Sequence, residues 1–195
     1  MAEPRTGIVT GAGSGVGRET ALLLARAGYQ LILVGRTAAK LQETANRIRA
    51  ASSCQILTAD LCDAKAATMI VDKTLRSFGR IDTLVNVAGN APLCPIDQIT
   101  AEMLNRCLET NLAAVVRLTV AAWPVFHHQQ HGMIVNVSSM ASINPFRGFS
   151  IYAAAKVGLN MFTRSTAEEG KSIGVQAIAI APGAIETPML RSIFD

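Results

Sequence analysis

The chain has 195 residues, half of them hydrophobic and 16% charged, which fits one folded domain over residues 1–195 and excludes a disordered chain. A net charge of +4 comes from 18 basic and 14 acidic side chains, scattered with no concentrated stripe, so nucleic acid is not an expected partner. No apolar run approaches the ~20 residues of a membrane span, and the run from Met1 to Arg5 carries no hydrophobic signal, so the expectation is a cytoplasmic protein without a membrane partner.

Short apolar runs alternate with longer amphipathic ones. The strand-like runs are Gly7 to Thr10, Gln30 to Val34, Gln55 to Thr58, Thr83 to Val87, Met133 to Val137 and Val175 to Ala181. They are rich in Ile, Val and Leu and lack a clean period of two, as strands covered on both faces do. Helical patterns fill the gaps at Val16 to Ala27, Thr37 to Ala51, Ala64 to Phe78, Ala101 to His128 with a break near Thr110, and Tyr152 to Ser172. Gly28 and Gly79 stand where helix C-caps are expected. Strand and helix in this order predict an α/β, doubly wound three-layer fold of the Rossmann type with a mostly parallel sheet.

The four cysteines, Cys54, Cys62, Cys94 and Cys107, show no paired spacing and read as small hydrophobes in a reducing compartment. His127, His128 and His131 cluster near a predicted helix end without further ligands at workable spacing, so no metal is expected.

The first strand runs directly into Thr10, Gly11, Ala12, Gly13, Ser14, Gly15, Val16 and Gly17, and a helix follows. Glycines let the backbone approach a pyrophosphate, and a helix N-terminus offers free N–H groups to hold it. The second strand ends in Gly35, Arg36 and Thr37, with glycine where many dinucleotide folds carry an acid. A carboxylate would repel a 2′-phosphate, whereas a guanidinium chelates it, so NADP is expected ahead of NAD. A solvent-facing arginine is the plain alternative.

Tyr152 and Lys156 are four residues apart in a helical pattern and so share a face. A free phenol titrates near pH ~10, and a neighbouring cation lowers that value toward the working range. An ordinary surface pair is the competing reading.

Taken together, these segments resemble the short-chain dehydrogenase/reductase family over essentially the whole chain. Thr10 to Gly17 is similar to that family's T-G-x-x-x-G-x-G loop, and Asp60-Leu61 stands where the family sets an acid against the adenine. Asn86-Val87-Ala88-Gly89 resembles its N-N-A-G motif, with Val87 in place of the second asparagine. Asn111 matches the helix asparagine that supports a water relay, and Ser139 the catalytic serine 13 residues before the tyrosine. Pro182, Gly183, Ile185 and Thr187 resemble the segment along the nicotinamide.

The resemblance implies an oxidoreductase that interconverts an alcohol and a ketone or aldehyde by hydride transfer. Ser139 would polarise the carbonyl, Tyr152 exchange the proton, Lys156 lower the Tyr152 pKa and bond the nicotinamide ribose, and Asn111 hold a water. Ser138 competes with Ser139, and the family spacing selects Ser139. Ala91, Pro92, Leu93, Met140, Ile143, Asn144 and Phe149 suggest a mostly apolar pocket for a small-molecule carbonyl or alcohol substrate.

Family members usually continue with a helical lid, another helix and a seventh strand, and here that region is nearly absent. A truncated product, a site completed by another chain and a lost lid stay open, as does a homo-oligomer. The rival to an enzyme is a cofactor-binding sensor or regulator with little turnover.

Overall fold

The computed structural model describes residues 4–48 and 52–194. Six parallel strands form one sheet in the order β3-β2-β1-β4-β5-β6. They are β1 (Thr6–Thr10), β2 (Gln30–Gly35), β3 (Cys54–Thr58), β4 (Thr83–Asn86), β5 (Gly132–Val137) and β6 (Val175–Ile180). The helices are α1 (Gly15–Arg26), α2 (Ala38–Ile48), α3 (Ala66–Phe78), α4 (Ala101–Leu108), α5 (Ala114–Gln129), α6 (Ser150–Gly170) and α7 (Pro188–Phe194). The doubly wound α/β expectation is met. The predicted continuation of the second helix to Ala51 lies outside the described residues.

Two apolar layers explain why the strands show no alternation. Ile8 of β1 and Ile32 of β2 face one layer with Ile70 of α3 and Leu118 and Phe126 of α5. Their chain neighbours Val9, Leu31 and Leu33 face the other layer, with Leu22 of α1 and Leu41 and Ile48 of α2. Successive side chains point to opposite sides, so both parities must be apolar. Each such side chain contributes about 1.5–3 kcal/mol when fully buried.

Helix ends follow local chemistry. Gly79 takes a left-handed φ of 74° and its N–H closes on the Leu75 carbonyl, and Gly28 has φ 84° just past α1. The long helical pattern after Ala101 is three pieces: α4, a π-helical segment at Glu109–Ala113 and α5. The expected break near Thr110 is this widened turn. α7 was not foreseen, although Thr187 accepts from the Leu190 N–H and Pro188 opens the helix.

β6 pairs only with β5 among the described residues, and Gln176, Ile178 and Ile180 are exposed along it. No helix among the described residues is long and apolar enough to cross a membrane.

At the opposite end of the strands, buried Asp82 accepts from the Thr6 N–H at 2.7 Å and from Arg80 Nη2 at 2.7 Å and Nε at 2.9 Å. Asp82→Ala would strip the buried Thr6 N–H of its acceptor and remove the carboxylate that Arg80 bonds. It is expected to cost about 2–4 kcal/mol, read as a lower urea midpoint at unchanged slope. A midpoint equal to that of the unmodified protein would show the carboxylate to be dispensable.

Candidate active site

Strand order reverses between β1 and β4, and the crevice this leaves at the carboxyl ends of the strands opens into a cleft of about 950 Å³. The glycine loop forms one wall. A Cβ on Gly17 would lie 2.2 Å from the Gly11 carbonyl oxygen, so helix and loop approach as closely as they do only with glycine there. Gly11 and Gly15 have φ of 66° and 51°. Ser14 sits at the N-cap of α1 with no side-chain cap bond, leaving the first-turn N–H groups to the cleft. This cradle suits a pyrophosphate.

Arg36 and Thr37 line the cleft from the end of β2, with exposed side chains. Lys40, one turn into α2, joins them, its Cβ 3.1 Å from where a Gly13 Cβ would stand. Sequence reading missed Lys40, because its nearness to Gly13 is tertiary.

Asp60 and Leu61 line the cleft after β3. The Cys62 N–H donates to Asp60 Oδ1 at 3.0 Å and holds that carboxyl below its usual range, with Arg36 and Arg106 adding to the effect. The loop is anchored from the other side. Arg117 donates to the Leu61 carbonyl at 2.9 Å, and Thr110 Oγ1 lies 3.4 Å from Cys62 Sγ.

Ala88 and Gly89 line the floor, whereas Thr10 and Asn86, expected at the cofactor, are buried outside the cleft. Thr10 Oγ1 accepts from the N–H groups of Val87 and Ala88 at 3.0 and 3.2 Å and thereby ties β1 to the loop after β4. Asn86 donates to Asn136 Oδ1 at 2.8 Å, and Asn136 in turn donates to Thr163 at 2.8 Å. Both are scaffold: their side chains are spent between strands.

Ser139, Tyr152 and Lys156 meet beyond β5. The Ser138 N–H donates to the Ile180 carbonyl at 2.7 Å and the Met140 N–H to Pro182 at 3.0 Å, extending the β5–β6 ladder and drawing Pro182 and Gly183 alongside the site. Ser138 is buried, its hydroxyl within 3.4 Å of the Lys156 carbonyl, which leaves Ser139 as the serine at Tyr152. Thr187 leans over the glycine loop, its methyl 3.0 Å from a Cβ built on Gly15, and Ile185 lines the same wall.

Lys156 is buried, donates to the Val137 carbonyl at 2.8 Å and lies 5.6 Å from the centre of the Tyr152 ring. Burial pushes its pKa down to about 8. The Tyr152 phenol is moved the other way: burial raises it, the hydrogen bond with Ser139 opposes the rise, and Cys107 adds to it. The expected lowering of Tyr152 by Lys156 is therefore corrected. Desolvation wins, because the ring is sunk beside Cys107, Ile151 and Ala155.

Asn111 also needs a correction. Its Nδ2 donates to Asn90 Oδ1 at 2.7 Å, the Asn90 carbonyl at 2.8 Å and the Cys107 carbonyl at 3.0 Å. The amide nitrogen is thus committed to protein groups, inside the π-helical segment.

The apolar pocket is partly as expected. Ala91, Met140 and Phe149 line it, Phe149 with its ring 6.0 Å from Tyr152. Pro92, Leu93, Ile143 and Asn144 do not line it, and Phe146, Met189 and Leu190 do.

With this geometry in hand, comparison with known proteins is informative. The family described as short chain dehydrogenase matches residues 5–195. Levodione reductase of Leifsonia aquatica is 36% identical over 192 residues, covering 96% of this chain and 72% of that protein. A levodione reductase crystal structure superposes with a TM-score of 0.94 at 32% identity, over 99% of this chain and 76% of that one. NAD+-bound xylitol dehydrogenase gives 0.89 at 27% identity, over 93% and 70% of the two chains. A variant actinorhodin polyketide ketoreductase with NADPH gives 0.93 at 28% identity, over 99% and 76%. A match from Arg5 to Asp195, on a cleft built around Tyr152 and Lys156, makes this chain a member of the short-chain dehydrogenase/reductase family, an oxidoreductase acting on CH–OH groups.

Proposed function

We propose that the chain interconverts an alcohol and a ketone or aldehyde with NADP, using Ser139, Tyr152, Lys156 and Asn111. The observation that carries this reading is the meeting of Ser139, Tyr152 and Lys156 at one end of a cleft whose other end is a glycine cradle. The nicotinamide cofactor, when bound, supplies or accepts the hydride. Gly11, Ser14, Gly15, Val16 and Gly17 would hold its pyrophosphate, and Asp60, Leu61, Ala88 and Gly89 its adenosine side. Pro182, Gly183, Ile185 and Thr187 would lie along the nicotinamide.

In reduction, Ser139 Oγ donates to the substrate carbonyl and polarises it. Tyr152, whose raised pKa keeps it protonated at neutral pH, gives its proton to the developing alkoxide. Lys156, positive below about pH 8, stabilises the phenolate left behind. The π-helical turn at Asn111 then offers a backbone route for a water that restores the proton. The reverse sequence serves alcohol oxidation. A single domain in the cytoplasm, self-associated or not, suits this chemistry.

Relatives hold both NAD+ and NADPH, so the choice rests on Arg36, Lys40 and the absence of an acid at Gly35. Arg36→Ala is expected to weaken NADPH by about ten- to a hundredfold, one lost charge-assisted hydrogen bond, and NADH hardly at all. Fluorescence titration with both nucleotides checks this. Equal affinity of the unmodified protein for the two would overturn the NADP assignment.

A further inference from the structure

Charge is unevenly divided along the cleft. Among the described residues, Arg36, Lys40, Asp60 and Arg106 line the half formed by the ends of β2 and β3 and by α4. Around Tyr152 the only charged lining residue is Lys156, whose ammonium is buried and bonded to the Val137 carbonyl. Met140 follows Ser139 there and the Phe149 ring lies 6.0 Å from Tyr152, while Phe146, Ile185, Met189 and Leu190 line the same cleft.

The apolar surface continues out to the rim. Phe146 is 51% exposed, Ile185 42% and Met189 38%. Exposed large side chains gathered at a cleft mouth mark a place where apolar matter docks. A carboxylate or phosphate on a substrate would lose its water here and meet no cation among the lining residues near Tyr152 except Lys156, which is bonded to the Val137 carbonyl. An uncharged ketone meets no such penalty and covers the exposed apolar side chains.

We propose that the substrate is an uncharged carbonyl compound with a bulky apolar body. Its carbonyl lies at Ser139 and Tyr152, its body against Met140, Phe149 and Ile185, and its far end at Phe146 and Met189. This rests on the oxidoreductase reading and narrows it to a substrate class. The division of charge also keeps nucleotide phosphates and substrate at opposite ends of one cleft.

The test compares ethyl benzoylformate with benzoylformate, which carry the same α-keto group as an ester or as a carboxylate. NADPH oxidation gives kcat/KM for each, and saturation-transfer NMR with NADP+ present reads binding without turnover. The ester is expected to exceed the acid by about thirtyfold or more in kcat/KM and alone to show saturation transfer. Phe146→Arg, a change at an exposed position, should narrow that gap about fivefold or more by helping the acid. Equal or better handling of the acid, or no transfer to either compound, overturns the proposal. Transfer to the ester with no NADPH oxidation supports the pocket assignment and counts against the oxidoreductase reading instead.

Discussion

Tyr152→Phe is expected to lower kcat by about two to four orders of magnitude, the usual worth of a positioned acid, while leaving NADPH affinity nearly unchanged. The substitution removes one oxygen and keeps the ring, so the contacts with Phe149 and with the Lys156 ammonium persist. Stability should fall by only about 1 kcal/mol, for the bond shared with Ser139. Steady-state reduction of a carbonyl panel together with a nucleotide titration reads both quantities. Preserved kcat would remove Tyr152 from the proton step. Lost NADPH binding at preserved fold would make it a binding residue.

Lys156→Met is expected to uncouple activity from stability. Burial holds the ammonium at about pKa 8, against 10.5 in the unfolded chain. The charged form is thus penalised in the fold, fully below about pH 8, and the penalty fades as pH rises from there toward 10.5. A displacement of that size corresponds to roughly 3 kcal/mol, from which the lost bond to Val137 subtracts about 1 kcal/mol.

Methionine fills a similar volume without charge. The variant should therefore melt higher at pH 7, by about 1–2 kcal/mol or roughly 3–6 °C, with the advantage shrinking by pH 9.5. Its kcat/KM should fall about a hundredfold or more, and NADPH should bind more weakly on the proposed contact of Lys156 with the nicotinamide ribose. Melts at the two pH values check the first half. A variant less stable than the unmodified protein at pH 7 would show that the ammonium is well solvated by its neighbours.

What the sequence disclosed and what it hid divide along physical lines. The order of β1 to β6 was legible because strands buried on both faces must be apolar at both parities, as Ile8 beside Val9 illustrates. The glycine loop was legible because few residues besides glycine tolerate its φ values and its contact with Gly11. Orientation was not. Thr10 and Asn86 occupy motif positions beside the cleft, yet their side chains turn inward to bond Val87, Ala88 and Asn136.

Burial at the site was hidden for the same reason. That Tyr152 is raised follows from its packing on Cys107, Ile151 and Ala155, and no spacing encodes that packing. The π-helical turn at Asn111 left only a break in the helical pattern, since one wide turn has no period of its own. Lys40 reached the cleft through the path of α2.

On the proposed function, Tyr152 would deliver the proton to the carbonyl oxygen, and NADPH, when bound, would supply the hydride to the carbonyl carbon. Mass spectrometry of the alcohol formed from ethyl benzoylformate and NADPH deuterated at the transferred position of C4 tests it most directly. The account predicts one deuterium on the carbinol carbon with the unmodified protein and essentially no alcohol with Tyr152→Phe. Alcohol without the label, or labelled alcohol formed equally fast by Tyr152→Phe, would contradict it.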